Sequence, residues 1–322
     1  MKAVVVEKAG GPEVLRLKDI PKPEAREGWV LIAIKAFGLN RSELFTRQGH
    51  SPSVTFPRVL GIECAGLVEA APGTGFTPGQ RVIAITGGMG RAFDGGYAEY
   101  VSVPQSCVLP VETDLDWATL GAIPEMFQTA HGSLTDALEV AEGHTLLIRG
   151  ATSSVGMAAA SLAVDMGATV IATTRNAAKI AGLKENGAAH VILDDGEIAG
   201  QVRALYPGGV DRILELVGTT TLLDSLRAAR RRGVVCMTGI LGGQWVLERF
   251  EPLEQIPFGV RLTTYSGGAE DLPPEALQAI IQGIKDGRVR VNLDRVFKID
   301  EIDEAHRYME SNQASGKIVC VV

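Results

Sequence analysis

The sequence is short of cysteine and contains no long hydrophobic run, and both shortages exclude classes of protein. Four of its 322 residues are cysteines, dispersed along the chain without a Cys-x-x-Cys pair. We therefore expect neither a disulfide framework nor a structural zinc site. No stretch approaches the roughly 20 apolar residues that span a bilayer, and Glu7 and Lys8 interrupt the first apolar run. These features predict a cytoplasmic protein without a signal peptide or a membrane helix.

Basic residues are outnumbered by acidic ones. The chain contains 31 lysines and arginines against 38 aspartates and glutamates, which gives a formal net charge of −7. This balance argues against densely negative partners, so we expect neither nucleic acid nor an anionic membrane to bind. A local cluster, Arg227 with Arg230–Arg232, is predicted to lie at the C-terminal end of a helix, where positive charge is favourable.

The chain changes character twice along its length. Up to about residue 115, short alternating apolar runs are separated by glycine and proline, which is typical of a small irregular β-barrel. Strands then alternate with helices as far as about residue 265, a pattern that predicts a doubly wound parallel sheet. The last part is mixed. The composition and length therefore favour an α/β protein with about two domains.

The strongest local feature is a strand, a turn of small residues and an alanine-rich helix in TLLIRGATSSVGMAAASLA (145–163). A dinucleotide site needs backbone N–H groups and a helix N-terminus that face the pyrophosphate, with no bulky side chain between them. The pattern predicts that Ser153, Ser154, Val155 and Gly156 bind such a cofactor. A serine that only caps an ordinary helix is the alternative.

The strand that follows ends about 20 residues after this turn, where enzymes that use NAD place an acidic residue on the ribose. This chain has Thr174 and Arg175 there instead, and Lys179 one helical turn further on. A guanidinium can pair with a 2′-phosphate through two hydrogen bonds, and an ammonium adds a point charge. The sequence therefore favours NADPH. The alternative is that Arg175 and Lys179 only form a solvated helical face.

Several further segments occur in a characteristic order along the whole chain. They are MKAVVVEKAGGPEVL (1–15), GLNRSELFTRQGHSP (38–52), FPRVLGIECAGLVE (56–69), FTPGQRV (76–82), DGGYAEY (94–100), RGATSSVG (149–156) and SGKIVCVV (315–322). In these segments the chain resembles the medium-chain dehydrogenase/reductase superfamily, and more closely its zinc-independent quinone oxidoreductase group.

The resemblance implies a particular domain organisation. It predicts a GroES-like catalytic β-barrel domain formed by residues 1–118 and 264–322, and an inserted Rossmann domain of doubly wound parallel sheet formed by residues 119–263. Members of the family commonly dimerise by joining their Rossmann sheets edge to edge. We therefore expect a homodimer, with the fifth Rossmann strand and the residues after it, about 234–248, at the interface.

The departures from the zinc-dependent members of the family concern the metal. Those enzymes have a cysteine after the strand that corresponds to residues 30–37, where this chain reads GLNRS (38–42), and a histidine where it has Ile62. The segment 86–94 contains none of the cysteines of their structural zinc lobe. Without these ligands we expect no metal. The chemistry that remains is hydride transfer from NADPH to an electron-poor acceptor, a quinone or an enone.

The resemblance also implies roles for single residues. It places Asn40 near the nicotinamide, where its amide could donate to the acceptor oxygen, and Thr129 on the nicotinamide side as well. Where related reductases often have a tyrosine, this chain has Ser51 beside His50, and the imidazole of His50 could supply a proton. The respective alternatives are a turn residue, a helix-packing residue and a surface histidine.

Two strand exits and the C-terminal segment complete the predicted cofactor site. The resemblance brings Gly218, Gly239 and Leu241 to the cofactor, and it brings Lys317 to the cofactor phosphates. Ordinary glycine use in loops is the alternative. The sequence thus predicts an NADPH-dependent, zinc-independent reductase of quinones or related conjugated carbonyls. The alternatives are an enoyl or 2-alkenal reductase that acts on a C=C bond, and a non-catalytic NADPH-binding protein.

Overall fold

The computed structural model describes residues 1–322. The strands are β1 (Lys2–Val6), β2 (Arg16–Asp19), β3 (Trp29–Gly38), β4 (Arg58–Val59), β5 (Glu63–Ala70), β6 (Arg81–Ile85), β7 (Tyr100–Pro104), β8 (Val108–Pro110), β9 (Thr145–Arg149), β10 (Thr169–Thr174), β11 (His190–Leu193), β12 (Val210–Glu215), β13 (Ala229–Met237), β14 (Arg261–Thr264), β15 (Leu293–Lys298) and β16 (Lys317–Val321). The helices are α1 (Arg41–Arg47), α2 (Trp117–Gly132), α3 (Ser154–Asp165), α4 (Ile180–Glu185), α5 (Ala199–Leu205), α6 (Thr219–Ala228), α7 (Pro252–Gln255), α8 (Pro274–Lys285) and α9 (Ile302–Glu310).

The chain forms two compact units. The first unit consists of Met1–Gln128, Gly268–Lys285 and Leu293–Val322, and the second consists of Thr129–Gly267 and Asp286–Asn292. The boundary between Gln128 and Thr129 lies inside α2, a single helix, Trp117–Gly132, that continues into a π-turn.

The first unit is built around the long strand β3. Its larger sheet has the order β15-β16-β3-β5-β6-β8, with β7 also paired to β3, and a smaller sheet has the order β2-β1-β4. Alternate residues of β3, among them Val30, Ile32 and Ile34, belong to the buried apolar core of this unit. The terminal strand β16 pairs antiparallel with β3, so the two ends of the chain share one sheet.

The second unit is a six-stranded sheet in the order β11-β10-β9-β12-β13-β14, and every neighbouring pair is parallel. The order runs outward in both directions from β9 and β12, which is the doubly wound arrangement expected from the sequence. In such sheets ligands bind beyond the carboxyl ends of the strands, where the order reverses. For this chain that point is the exit of β9, at Gly150.

The position of the arginine cluster differs from the prediction. The helix α6 ends at Ala228, and Arg230–Arg232 belong to strand β13 rather than to a helix end. The strand begins early because Ala229 pairs with Val210, and the register with β12 then shifts before pairing resumes. Arg232 has a positive φ of 68° within this irregular stretch.

The edge of the second sheet was also predicted incorrectly. Strand β13 pairs with β12 on one side and with β14 on the other, so residues 234–237 are internal to the sheet. Of the four residues Arg261–Thr264 only Leu262 is apolar, and for this reason periodicity gives little signal for a strand there. Among residues 1–322, no helix is both long and apolar enough to cross a membrane.

Candidate cofactor site and buried polar centre

The turn after β9 is shaped by two glycines and a serine. Gly150 has a φ of +81°, which favours glycine. A Cβ atom on Gly156 would lie 2.7 Å from Cα of Ala151 and from the carbonyl oxygen of Gly150, so helix α3 approaches the turn too closely for any side chain. Ser153 caps α3, because its Oγ accepts from the N–H of Gly156 at 3.1 Å. Ser153 therefore caps the helix, which is the role that the sequence offered as the alternative to cofactor binding.

A cavity of about 440 Å³ opens beside this turn. Its walls come from the ends of β9, β10, β11 and β12 and from the loops that follow them, and they include Gly150, Thr174, Arg175, Asp194 and Leu241. The structure therefore brings three of the predicted cofactor residues, Thr174, Arg175 and Leu241, to one cavity. The wall is mostly backbone and short side chains, which suits a nucleotide.

The polar groups at the predicted ribose position differ in their exposure, in their hydrogen bonds and in whether they line the cavity. The hydroxyl of Thr174 is already used, since it accepts from the N–H of Asn176 at 3.1 Å. The side chain of Arg175 is exposed. Lys179 closes the helical turn Ala177–Lys179 and is half-buried. It does not line the cavity. Arg175 is thus the one predicted cation on the cavity wall.

The loop after β12 is held by a buried carboxylate. Glu215 accepts from the N–H groups of Val217 and Gly218, at 2.7 and 3.0 Å. It also accepts from the hydroxyl of Ser225 at 2.5 Å. Burial raises the pKa of Glu215, and these hydrogen bonds oppose that rise. The predicted residues Gly218 and Gly239 are neighbours, because a Cβ atom on Gly218 would lie 3.0 Å from the carbonyl oxygen of Gly239. Thr129 lies within α2 and is half-buried.

A buried ion pair at the cavity, between Arg149 and Asp194, was not predicted from the sequence. The guanidinium of Arg149 at the end of β9 forms two hydrogen bonds of 2.9 Å with the carboxylate of Asp194, which follows β11. Arg149 also bonds to Asp224 at 2.8 Å. Asp194 could have been found from sequence, because an acidic residue at the carboxyl end of a parallel strand is placed at the ligand edge.

Asn40 lies in a second polar centre, in the interior of the first unit. Its Oδ1 accepts from the ammonium of Lys317 at 2.6 Å, which fixes the orientation of the amide. Its Nδ2 donates to Glu63 at 2.8 Å and to Glu43 at 3.3 Å. Both amide hydrogens are therefore used by carboxylates. The expectation that this amide donates to an acceptor oxygen does not fit the observed contacts.

Lys317 belongs to the same buried centre as Asn40. Its side chain is fully buried, and its ammonium lies 2.6 Å from Oε1 of Glu63 and 3.7 Å from Oε2 of Glu125. Burial alone lowers the pKa of this ammonium, but the charges of Glu63 and Glu125 outweigh it and hold the pKa above its ordinary value. A cation enclosed in this way has no exposed surface, so the structure gives no support to the phosphate contact, which stays a prediction.

Glu43 is the least compensated member of this centre. Its Oε1 accepts from the N–H of Ile62 at 3.0 Å, whereas its Oε2 is buried without a hydrogen-bond partner. Burial raises the pKa of Glu43 to about 7, and the neighbouring charge of Glu63 adds to the rise. The centre therefore holds a carboxyl group that exchanges its proton near neutral pH. No group of three or more His, Cys, Asp or Glu side chains is arranged to hold a metal ion.

His50 lies apart from the buried centre. It is exposed on the turn that follows α1, and its backbone N–H donates to the carbonyl oxygen of Phe45 at 2.9 Å. Its ring centroid is 6.4 Å from that of Phe45. The imidazole of His50 is thus exposed to solvent and has no polar side-chain partner to orient it.

Comparisons with known proteins agree with this architecture. Residues 26–113 match the alcohol dehydrogenase GroES-like domain, and residues 186–320 match the zinc-binding dehydrogenase family. The chain superposes on an NAD-dependent alcohol dehydrogenase with a TM-score of 0.89, at 27% identity and over 100% of both chains. It superposes on mycobacterial Rv1454c complexed with NADPH with a TM-score of 0.88, at 28% identity and again over 100% of both chains.

These findings define the class of protein. The chain belongs to the medium-chain dehydrogenase/reductase superfamily and is an oxidoreductase. Among its relatives is the quinone oxidoreductase of Homo sapiens, which is 28% identical over 100% of this chain and 98% of that protein. The GroES-like first unit and the Rossmann-type second unit expected from the resemblance are confirmed.

The buried carboxyl of Glu43 generates a prediction for stability. The pKa of Glu43 is about 7 in the folded chain against an ordinary value of 4.5. Since the folded state holds the proton more tightly, this contribution is complete below the ordinary pKa and disappears as the pH rises through the folded pKa. Relative to Glu43→Gln, the unaltered chain should therefore lose up to about 3 kcal/mol of unfolding free energy across that interval.

Urea unfolding of both proteins across this pH interval measures the difference. The exposed Glu24→Gln controls for the loss of one surface carboxylate. Parallel curves for Glu43→Gln and the unaltered chain would contradict the assignment, because they would show that Glu43 titrates alike in both states.

Proposed function

We propose that this oxidoreductase uses NADPH to reduce quinones or related conjugated carbonyl compounds by hydride transfer. The observation that supports the cofactor most directly is the cavity at the strand ends, whose wall includes the exposed guanidinium of Arg175. A planar guanidinium suits a 2′-phosphate. The turn Gly150–Gly156 would hold the pyrophosphate through backbone N–H groups, as the sequence predicted for Ser153, Ser154, Val155 and Gly156.

The protein's own contribution to the reaction is positioning and exclusion of water. The bound NADPH would supply the hydride. Gly156 lets α3 approach the turn, and Glu215 fixes the loop that starts at Val217, so the cavity wall is rigid before a ligand enters. Pre-formed sites of this kind avoid the cost of ordering loops upon binding. The predicted contacts of Thr129, Gly218, Gly239 and Leu241 belong to the same proposal.

We propose that the reaction is independent of zinc, on the chemistry of the side chains. The segment 38–42 contains no cysteine and Ile62 stands in place of a histidine, where the zinc-dependent members of the resembled family have ligands. The carboxylate of Glu63 is instead compensated by the ammonium of Lys317 at 2.6 Å. A divalent cation added beside this buried ammonium would meet strong repulsion. The centre thus has its own permanent cation.

The acceptor class rests on the relatives, several of which are named quinone oxidoreductases. Reduction of a quinone needs protons that solvent can supply, and the exposed His50 is the candidate donor where a proton must be delivered. An enoyl or 2-alkenal reductase, and an NADPH-binding protein without turnover, remain the alternative functions from the sequence. The cytoplasmic location also remains a prediction.

Arg175 should distinguish the two nicotinamide cofactors. The substitution Arg175→Asp replaces the guanidinium with a carboxylate that repels a 2′-phosphate and accepts from a 2′-hydroxyl. We expect the Kd of NADPH to rise by about 10- to 100-fold, whereas that of NADH changes by no more than about threefold. Fluorescence titration of each cofactor measures this, with Arg227→Asp as a matched exposed arginine that does not line the cavity. Equal losses for both cofactors would contradict the assignment.

A panel of acceptors tests the reaction itself. We expect NADPH oxidation with ortho- and para-quinones to exceed that with enals, enones and a 2-enoyl thioester, and to be unaffected by a metal chelator. Steady-state absorbance assays measure this, and His50→Ala in the same assays shows whether a protein-borne proton is needed. Faster turnover of the C=C substrates would favour the enoyl reductase. Bound NADPH without oxidation by any acceptor would favour the non-catalytic alternative.

We also propose that the chain forms a homodimer, through a different edge from the one predicted. The free edge on this side of the second sheet is β14, and exposed apolar side chains such as Trp245 and Phe258 lie in the segment before it. An exposed strand edge with adjacent apolar surface favours pairing between copies. The mass in solution measured by light scattering decides the matter, and a monomer would overturn this part of the proposal.

A further inference from the structure

The proposed cofactor cavity is lined by two acidic side chains, Asp194 and Asp195, in addition to Arg175, and Asp195 is exposed. Asp194 follows β11, the strand next to β10, and it lines the same cavity as Arg175. In dinucleotide sites a free carboxylate near the ribose accepts from the 2′-hydroxyl of NADH and repels the 2′-phosphate of NADPH. Left free, Asp194 would therefore act against the preference that Arg175 supports.

The carboxylate of Asp194 is not free, because all of its accepting positions are used. Its Oδ1 accepts from Nη2 of Arg149 and from the N–H of Gly196, both at 2.9 Å. Its Oδ2 accepts from Nε of Arg149 at 2.9 Å and from the hydroxyl of Thr173 at 3.2 Å. A carboxylate offers about four accepting positions, so none is left for a ribose hydroxyl.

The charge of Asp194 is compensated as well. Burial alone raises the pKa of this carboxyl, but its hydrogen bonds with Arg149 and the charge of that guanidinium outweigh burial and hold the pKa below its ordinary value. Asp194 is thus ionised and paired. A paired carboxylate exerts a much weaker field on a nearby phosphate than a free one, because the two opposite charges are adjacent.

Arg149 is itself fixed in place. Its side chain is fully buried, and it donates to Asp224 at 2.8 Å and to the carbonyl oxygens of Gly196 and Thr221 at 2.8 and 3.1 Å. The guanidinium fork therefore cannot rotate away from Asp194 without breaking several other hydrogen bonds. A lysine could not reproduce this arrangement, since an ammonium lacks the planar fork.

We propose that Arg149 is a positioning residue for cofactor choice: by occupying both oxygens of Asp194 it keeps this carboxylate from pairing with a ribose hydroxyl, so that Asp194 does not oppose the preference of Arg175 for a 2′-phosphate. This inference rests on the proposed NADPH-dependent function. It explains why a chain with an acidic residue at a strand exit of its nucleotide cavity can nevertheless prefer the phosphorylated cofactor.

The test compares cofactor affinities and needs no substrate. In Arg149→Lys, one oxygen of Asp194 is released, and we expect the ratio of the NADH to the NADPH dissociation constants to fall about tenfold, the equivalent of one charge-assisted hydrogen bond. Adding Asp194→Asn to that variant removes the released charge, and we expect the ratio to return to within about twofold of the original. Fluorescence titration of both cofactors gives each ratio.

A merely structural role for Arg149 gives a different result. It would weaken both cofactors alike, and the second substitution would not restore the ratio, which overturns the inference. Arg212→Lys is the matched control, because Arg212 is a buried arginine of the second unit that bonds to the carbonyl of Leu138 and does not line the cavity. It should leave the ratio unchanged.

A single milder variant keeps the inference testable if Arg149→Lys fails to fold. Asp194→Asn in the otherwise unaltered chain should change the ratio by no more than about twofold, because the charge that it removes is already compensated. A tenfold shift toward NADPH would show that the carboxylate acts on the cofactor despite Arg149, and would overturn the inference. Failure of the unaltered chain to bind either cofactor would instead refute the proposed function.

Discussion

A charge removed from water must be paired, and in each unit of this chain a fully buried cation meets that constraint for a group of carboxylates. In the first unit the cation is Lys317, which compensates Glu63 and Glu125 and orients Asn40. In the second it is Arg149, which holds Asp194 and Asp224. Breaking such a pair by removing one partner leaves an uncompensated buried charge and is far more costly than losing a surface ion pair. The polar groups around each cation are consequently held in a single arrangement.

At the nucleotide cavity, some polar groups already have hydrogen-bond partners, whereas others are available to a ligand. Asp194 on the wall of the cavity and Glu215 behind it already accept several hydrogen bonds, whereas Arg175 on the wall is exposed. A ligand therefore meets one available guanidinium, the exposed carboxylate of Asp195 and a surface of small side chains. The contrast between saturated and available groups, rather than the number of charged residues, determines what this cavity favours.

The polar centre of the first unit also contains a paired cation, but one of its carboxyl groups is incompletely hydrogen-bonded. Glu43 has one oxygen without a partner and a pKa of about 7, so this centre carries a proton that is exchangeable near neutrality, unlike the cluster around Arg149. In the same centre the amide of Asn40 accepts from the ammonium of Lys317 and donates to Glu63. The buried ammonium and the amide thus contact the carboxylate of Glu63 directly.

The sequence by itself determined the parallel sheet, the glycine-rich turn and the absence of an acid after β10, because strand–helix alternation and strand-exit residues depend on local order along the chain. It did not determine the partners of Asn40, Lys317, Arg149 and Asp194. Those pairings join residues as far apart as 277 positions, and only tertiary packing brings them together. The edge strand β14 was missed for a related reason: its four residues carry little periodicity, and only pairing with β13 makes them a strand. Local sequence patterns therefore predict which strand ends and turns form the cofactor cavity. Tertiary packing determines which charged side chains are paired and which remain available to a ligand.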